Sequence, residues 1–155
     1  MPNPNTAFSA GAIYTAGQAN RFPRGVMAYA TSATSQTLST TSTIAIGMSV
    51  TFTARLYKIT YQEPEVQTPT VALGSTICTI KLTNAAATAY AVSIIQTPSA
   101  AQTASEVTTM TIQSFSAGST TIVGACSTSS LTGAPKLERS ATRLALIMVE
   151  DIGPS

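Results

Sequence analysis

The stretch RLALIMVEDI, at residues 143–152, limits the fold of this chain more than any other. Side chains in a β-strand point alternately to its two faces, and both faces of this stretch are apolar. One face carries Leu144, Leu146 and Met148, and the other carries Ala145, Ile147 and Val149. A surface strand of an antiparallel sheet usually has one polar face. We therefore expect a central strand, with the domain core on one side and a second layer or another subunit on the other.

This strand also supplies the candidate residues of an oligomer interface, which are Leu144, Leu146, Ile147, Met148 and Val149. The alternation does not tell which of its two faces is core and which is interface.

Two carboxylates, Glu150 and Asp151, follow the apolar run directly. Three roles are consistent with this position. They cap the end of the strand, they pair with Arg139 or Arg143 of a neighbouring subunit, or they bind a cation near a symmetry axis. The candidates for ion pairs between subunits are therefore Arg143, Glu150 and Asp151.

The composition fits a protein that is packed into an assembly. The 155 residues allow a single domain with its own core. Only 9% of them are charged, against about 25% in typical domains. Ser and Thr take their place, and Thr suits strands because its branched Cβ packs well on a pleated surface.

Several classes of partner are disfavoured. The net charge is +2, and the eight Lys and Arg residues are dispersed, whereas nucleic-acid binding needs clustered basic residues. The sequence has no apolar run of about 18 residues, so we expect no membrane insertion. The N-terminal residues lack a basic region followed by an apolar stretch, so we expect synthesis in the cytoplasm without a secretion signal.

From Arg24 onwards, apolar alternation predicts about eight strands with turn signals between them and no long helix. The strands are expected at about 24–31, 48–54, 57–62, 71–83, 88–97, 104–115, 119–128 and 143–152. Hairpin turns are expected at Asn84 and at Ala117-Gly118. Pro64 and Pro69 predict a sheet edge or a long loop. This spacing is typical of an all-β sandwich or jelly roll with antiparallel strands, over residues 24–155.

Residues 1–23 are predicted to form an extended docking arm. Pro and Gly interrupt the segment, and its apolar side chains are Phe8, Ile13, Tyr14 and Phe22. An arm with four such groups needs a surface to pack on. Both a neighbouring protein surface and the arm's own domain meet that need.

The sequence predicts no catalytic site, metal site or cofactor. It contains no histidine, which removes the commonest general base and metal ligand. Glu63 and Glu65 share a parity in the Pro-bracketed segment, but a solvated loop is the favoured interpretation over a ligand site. Cys78 falls on an apolar face, and two free thiols are favoured over a disulfide. Tyr57 and Tyr61 are expected in the core, which leaves any glycan contact to loops.

Five segments resemble minor tail proteins of tailed bacteriophages, a family common among phages of actinobacteria. They are TAGQAN at 15–20, PRG at 23–25, SVTFTA at 49–54, YKIT at 57–60 and VEDIGP at 149–154. They span the chain in order. In that family a glycine-containing turn precedes a strand with the pattern RYRIT, which YKIT at 57–60 resembles. Here the turn is shortened to Ala54-Arg55.

The resemblance implies a trimeric jelly roll similar to the complement and tumour-necrosis-factor class, whose last strand is central in the sheet facing the three-fold axis. It implies a structural virion protein at a tail tip or fibre, assembled in the host cytoplasm, with other virion proteins and host-surface glycan as partners. Two alternatives stay open. One is a decoration protein at three-fold positions of the capsid, and the other is a glycan-degrading spike enzyme.

Overall fold

The computed structural model describes residues 23–154, which form ten β-strands in two antiparallel sheets. The strands are β1 Gly25–Ser32, β2 Gln36–Thr37, β3 Thr43–Phe52, β4 Arg55–Gln67, β5 Ser75–Leu82, β6 Ala89–Gln96, β7 Ala104–Phe115, β8 Gly118–Thr128, β9 Lys136–Leu137 and β10 Ala145–Gly153. The predicted docking arm lies outside the described residues, except for Pro23.

The two sheets face each other as a jelly-roll sandwich. The first sheet has the order β1-β10-β4-β7, and the short strands β9 and β2 extend it along the far end of β4. The second sheet has the order β3-β8-β5-β6. If the two short strands are left out, successive strands alternate between the sheets except for β5 and β6, which form a hairpin in the second sheet, and this order is typical of a jelly roll. The all-β sandwich predicted from the sequence is confirmed.

The terminal strand β10 lies in the middle of the first sheet, paired with β1 on one side and β4 on the other. Ala145, Ile147 and Val149 are fully buried between the sheets. Leu146 and Met148 point to the opposite, outward face and are half-buried. The central placement of the strand is therefore confirmed. Ile147 and Val149, however, belong to the core of the chain, so their prediction as interface residues is wrong.

Aromatic rings close the core where β3 passes into β4. The rings of Phe52 and Phe115 stack with centroids 4.1 Å apart, and Tyr57 meets Phe52 edge-on at 4.7 Å. The Tyr57 hydroxyl accepts a hydrogen bond from the Thr53 backbone N–H at 3.0 Å. These contacts fix the two-residue connection at Thr53-Ala54. The expectation that Tyr57 and Tyr61 are core residues is confirmed, at 0% and 1% exposure.

The hairpin predicted at Ala117-Gly118 is wrong. β7 pairs with β4 in the first sheet, whereas β8 pairs with β3 and β5 in the second. The short connection therefore crosses the sandwich. Turn residues indicate where a chain reverses, but which sheet each strand joins depends on pairing with strands far away in sequence. The hairpin predicted at Asn84 does form, between β5 and β6.

The sheet edge or long loop predicted at Pro64 does not form, because β4 runs through this residue to Gln67, although its pairing is interrupted there. The register with β7 shifts between Glu63 and Val66, and the ladder with β10 ends at Gln62. Pro64 lies in that irregularity, where its missing N–H removes no ladder hydrogen bond.

Candidate functional site

The outward surface of the first sheet is the most distinctive surface of the described chain. Cross-strand pairing aligns Tyr29, Met148, Thr60 and Met110 in one row over β1, β10, β4 and β7. The next row is Val26, Glu150, Lys58 and Ile112. Leu146 extends the surface beside Met148. We call these nine side chains the terminal-strand face.

The terminal-strand face leaves large apolar side chains in solvent. Tyr29 is 68% exposed, and Val26, Met110 and Ile112 are each 54% exposed. Leu144, just before β10, is 42% exposed. Several exposed apolar side chains on the same face of a sheet are typical of a surface that contacts another protein.

The two charged groups on this face neutralise each other. Lys58 Nζ lies 2.7 Å from Glu150 Oε2 across the β4–β10 ladder. Both side chains are partly buried. Because their charges are opposite, the pair brings no net charge to the face. Glu150 was predicted as a partner for another subunit, but the structure gives it a partner within the chain.

Asp151 is buried and caps the end of β10. Its Oδ2 lies 2.6 Å from Arg55 Nε, and its Oδ1 accepts a hydrogen bond from the Gly153 N–H at 2.9 Å. Arg24 Nε lies 3.9 Å from the same carboxylate. Arg143 pairs with Glu65 at 2.8 Å. All three residues predicted for ion pairs between subunits therefore have partners in their own chain, and for Asp151 the strand-capping alternative describes the observed contacts.

The second sheet differs from the first in that apolar side chains on its middle strand β8 are fully buried. Its exposed apolar residues lie on the two outer strands and are Ile44, Tyr90, Val92 and Ile94, at 43–61% exposure. On the middle strand β8, Val123 and Ala125 are 1% and 0% exposed. Between the outer strands of the first sheet, by contrast, Leu146 and Met148 on β10 stay half-buried and reach the surface, while β4 contributes Thr60 and Lys58.

A buried polar network crosses the core between the sheets. Glu63 on β4 is fully buried, and Arg139, just after β9, binds it through two nitrogens. The Nε–Oε2 distance is 2.9 Å. The remaining guanidinium nitrogen donates to Ser32 Oγ and to the carbonyl oxygens of Thr34 and Ala45, at 3.1–3.3 Å. The prediction of a solvated loop at Glu63 and Glu65 is wrong for Glu63, which is fully buried. Because Glu65 pairs instead with Arg143 at the surface, the two carboxylates do not face one ligand.

The network continues to both cysteines. Tyr61 Oη donates to Glu63 Oε1 at 2.5 Å and lies 3.1 Å from Cys126 Sγ. Cys126 Sγ lies 2.8 Å from Cys78 Sγ. Burial, reinforced by the neighbouring Cys126 and Glu63, raises the pKa of the Tyr61 hydroxyl. The hydrogen bond with Cys126, together with burial, raises the pKa of the Cys78 thiol.

Sequence reasoning missed this network, although one signal for it was present. Glu63 continues the parity of Tyr57, Ile59 and Tyr61, which all point into the core. The Pro-bracketed segment obscured that pattern. Arg139 carries no comparable signal, because it lies in an irregular segment that approaches β4 only in the folded chain.

A shallow polar groove of about 290 Å³ opens at the surface near Arg139. It is lined by Glu65, Glu138, Arg139, Ser140 and Arg143. Its charges are already paired within the chain, Arg143 with Glu65 and Lys136 with Glu138. The bond with Lys136 lowers the pKa of the Glu138 carboxyl.

Within residues 23–154, no group of three or more His, Cys, Asp or Glu side chains is placed to hold a metal ion. No helix in that range is long and apolar enough to cross a membrane.

No protein-family model matches the sequence, and no curated protein is significantly similar to it. Solved structures give weak matches. One is the structure of infectious bursal disease virus, Gx strain, at 12% identity and a TM-score of 0.32, covering 99% of this chain and 46% of that one. Another is the VP2 subviral particle of the same virus, at 13% identity and a TM-score of 0.29, covering 86% and 42%. The chain spans less than half the length of either match. TM-scores below 0.5 do not establish a common fold.

Proposed function

We propose that this protein is a structural component of a tailed-phage virion, a trimeric jelly-roll module of the tail tip or fibre. The observation that carries the proposal is the terminal-strand face, an apolar surface without net charge, centred on the last strand. The resemblance of residues 15–20, 23–25, 49–54, 57–60 and 149–154 to minor tail proteins supports the virion role. The resemblance implies a trimer similar to the complement and tumour-necrosis-factor class, in which the sheet that holds the last strand faces the three-fold axis.

The energetics favour covering this face. Each large apolar side chain that is removed from water contributes about 1.5–3 kcal/mol. Tyr29, Met110 and Ile112 are each more than half exposed in the single chain, so most of that gain is still available. Because Lys58 and Glu150 already pair with each other, copies that meet at this face bring no unpaired charge together.

Two matched substitutions test the assembly. Ile112 and Ile94 are the same residue type, are 54% and 61% exposed, and lie on the outward surfaces of different sheets. We expect Ile112→Asp to dissociate the trimer in light scattering, and Ile94→Asp to leave it assembled. Equal behaviour of the two variants, or a wild-type chain that is monomeric at micromolar concentration, contradicts the proposed trimer.

The location in the particle needs a separate experiment. Purified virions are split into heads and tails, and the chain is detected in each fraction by mass spectrometry. We expect it in the tail fraction. Its recovery with the head shell favours the capsid decoration protein instead, and its absence from both contradicts a virion role.

An enzymatic alternative is tested with the purified assembly on host envelope polysaccharide. We expect no release of reducing ends, since the two carboxylates that line the surface groove, Glu65 and Glu138, are already paired with Arg143 and Lys136. Turnover would reassign the protein to the spike enzymes.

A further inference from the structure

The two cysteines lie directly opposite each other on neighbouring strands. Cys78 on β5 and Cys126 on β8 are register partners in an antiparallel pair. Their sulfur atoms are 2.8 Å apart, and both residues are 1% exposed. Both are free thiols in this structure.

We propose that Cys78 and Cys126 are a redox-modification site, which closes to a cross-strand disulfide when the protein meets a peroxide oxidant. The bond length of a disulfide is about 2.05 Å, so closure requires the sulfurs to approach by less than about 1 Å. Opposed strands already hold the two side chains on the same face, and only a small side-chain adjustment is needed. This inference is independent of the virion role.

The hydrogen bonds of the network determine which atom accepts each of the two thiol protons. The single hydroxyl proton of Tyr61 goes to Glu63, so in the contact with Cys126 the phenol oxygen accepts. The Cys126 thiol therefore donates to Tyr61, and its sulfur is left to accept the thiol proton of Cys78. A lone pair of Cys126 thus faces the thiol proton of Cys78, and loss of that proton leaves the two sulfurs facing each other.

The reaction balances with hydrogen peroxide as a two-electron oxidant. One cysteine loses its proton and attacks the peroxide, which forms an S–O bond, breaks the O–O bond and, with that proton, releases water. The second sulfur then attacks the sulfenic sulfur, so that the S–S bond forms and the S–O bond breaks, and the sulfenic hydroxyl leaves as a second water with the proton of the second thiol. Overall, two thiols and one peroxide give one disulfide and two waters.

Burial sets the rate of this modification. The raised pKa of the Cys78 thiol leaves little thiolate, which is the reactive form. The oxidant also has to enter, and β6 is the edge strand that covers β5 beside Cys78, where it pairs with Ser93. Local opening of an edge strand is the lowest-energy route to such a site. We expect slow formation of the disulfide and equally slow reduction.

The test uses the full-length wild-type protein, reduced, freed of reductant and then treated with excess hydrogen peroxide until its mass is constant. The protein is unfolded in an alkylating agent and weighed. We expect no alkyl groups on cysteine and a linked pair of tryptic peptides containing Cys78 and Cys126, whose mass, apart from oxygen added to methionine, is lighter by two hydrogen atoms than that of the two reduced peptides. The thermal midpoint should rise by about 10 °C, because the bond closes a long loop in the unfolded chain, and reductant should reverse the rise.

Matched variants and alternative outcomes keep the proposal falsifiable. Cys78→Ala and Cys126→Ala should show no peroxide-dependent rise in the thermal midpoint. A wild-type chain that retains two alkylatable thiols overturns the proposal. So does a chain in which the sulfurs gain oxygen instead of joining, or one that links only to other copies.

Discussion

Arg139 and Glu63 form a two-point ion pair inside the core, 76 residues apart in sequence and with side chains 2% and 0% exposed. This pair joins the segment after β9 to the middle of β4, and its neighbours satisfy the rest of the guanidinium. A buried ion pair with several supporting hydrogen bonds holds the segments in one arrangement, and removing one member leaves the other charge unpaired in the core.

Glu63→Gln should therefore reduce the free energy of unfolding by about 3–5 kcal/mol, because Arg139 remains buried without its counter-charge. The matched control is Glu65→Gln, which removes the partner of Arg143 at the surface and should change stability by less than about 1 kcal/mol. Urea unfolding followed by fluorescence measures both. Equal effects would contradict the difference in burial.

Ile147→Asp and Met148→Asp should separate core from surface in adjacent residues of β10. Ile147 is fully buried, so an unpaired carboxylate there costs several kcal/mol, a large part of the 5–15 kcal/mol typical of a domain. Met148 points outward and is half-buried, so its variant should fold but fail to assemble. Circular dichroism reports folding and light scattering reports assembly. If Met148→Asp unfolds as fully as Ile147→Asp, the outward face of β10 is not a surface of the folded chain.

Alkaline pH should destabilise the reduced protein. The hydrogen bond with Cys126, together with burial, raises the pKa of Cys78, so the folded chain keeps a proton that the unfolded chain releases. Stability is therefore complete below the unfolded thiol pKa of about 8.5 and decreases above it by about 1.4 kcal/mol per pH unit. Burial raises the pKa of Tyr61 in the same direction, with a loss that begins near the phenol pKa of about 10.

The measurement is urea unfolding between about pH 7 and about pH 10 in the presence of reductant. Cys78→Ala should show a shallower decrease above the thiol pKa than the wild type, since it removes that titrating group. Identical pH profiles for the two proteins would contradict the prediction.

Deletion of residues 1–20 should leave a folded sandwich that still trimerises but no longer joins the particle. The predicted arm carries Phe8, Ile13 and Tyr14 in that segment, and each buried aromatic side chain contributes about 2 kcal/mol. Ordering the segment has a comparable cost per residue, so docking depends on a receiving surface. Incorporation is measured by complementing particles that lack the wild-type chain. Normal incorporation of the truncated chain would show that attachment lies on the sandwich itself.

Local alternation alone was enough to predict most strands and the central position of β10. Residues 48–54 and 57–62 alternate between apolar and polar side chains, and the structure places β3 and β4 there. The two apolar faces at residues 144–149 predicted a central strand, and β10 lies between β1 and β4. These features are determined within a few residues, because strand periodicity is a property of the backbone itself.

The tertiary structure decided what depends on distant partners. Alternation could not distinguish the core face of β10 from its outward face, because both are apolar, and the packing of the second sheet selects Ile147 over Met148. Turn residues at Ala117-Gly118 marked a reversal, but only the pairing of β7 with β4 and of β8 with β3 makes it a crossover. Glu63 is a charged residue in a Pro-bracketed segment. Its counter-charge in the core comes from Arg139, 76 residues later in the chain. Charge pairing, sheet membership and the choice of inner face are set by contacts across the fold, and the local sequence does not contain them.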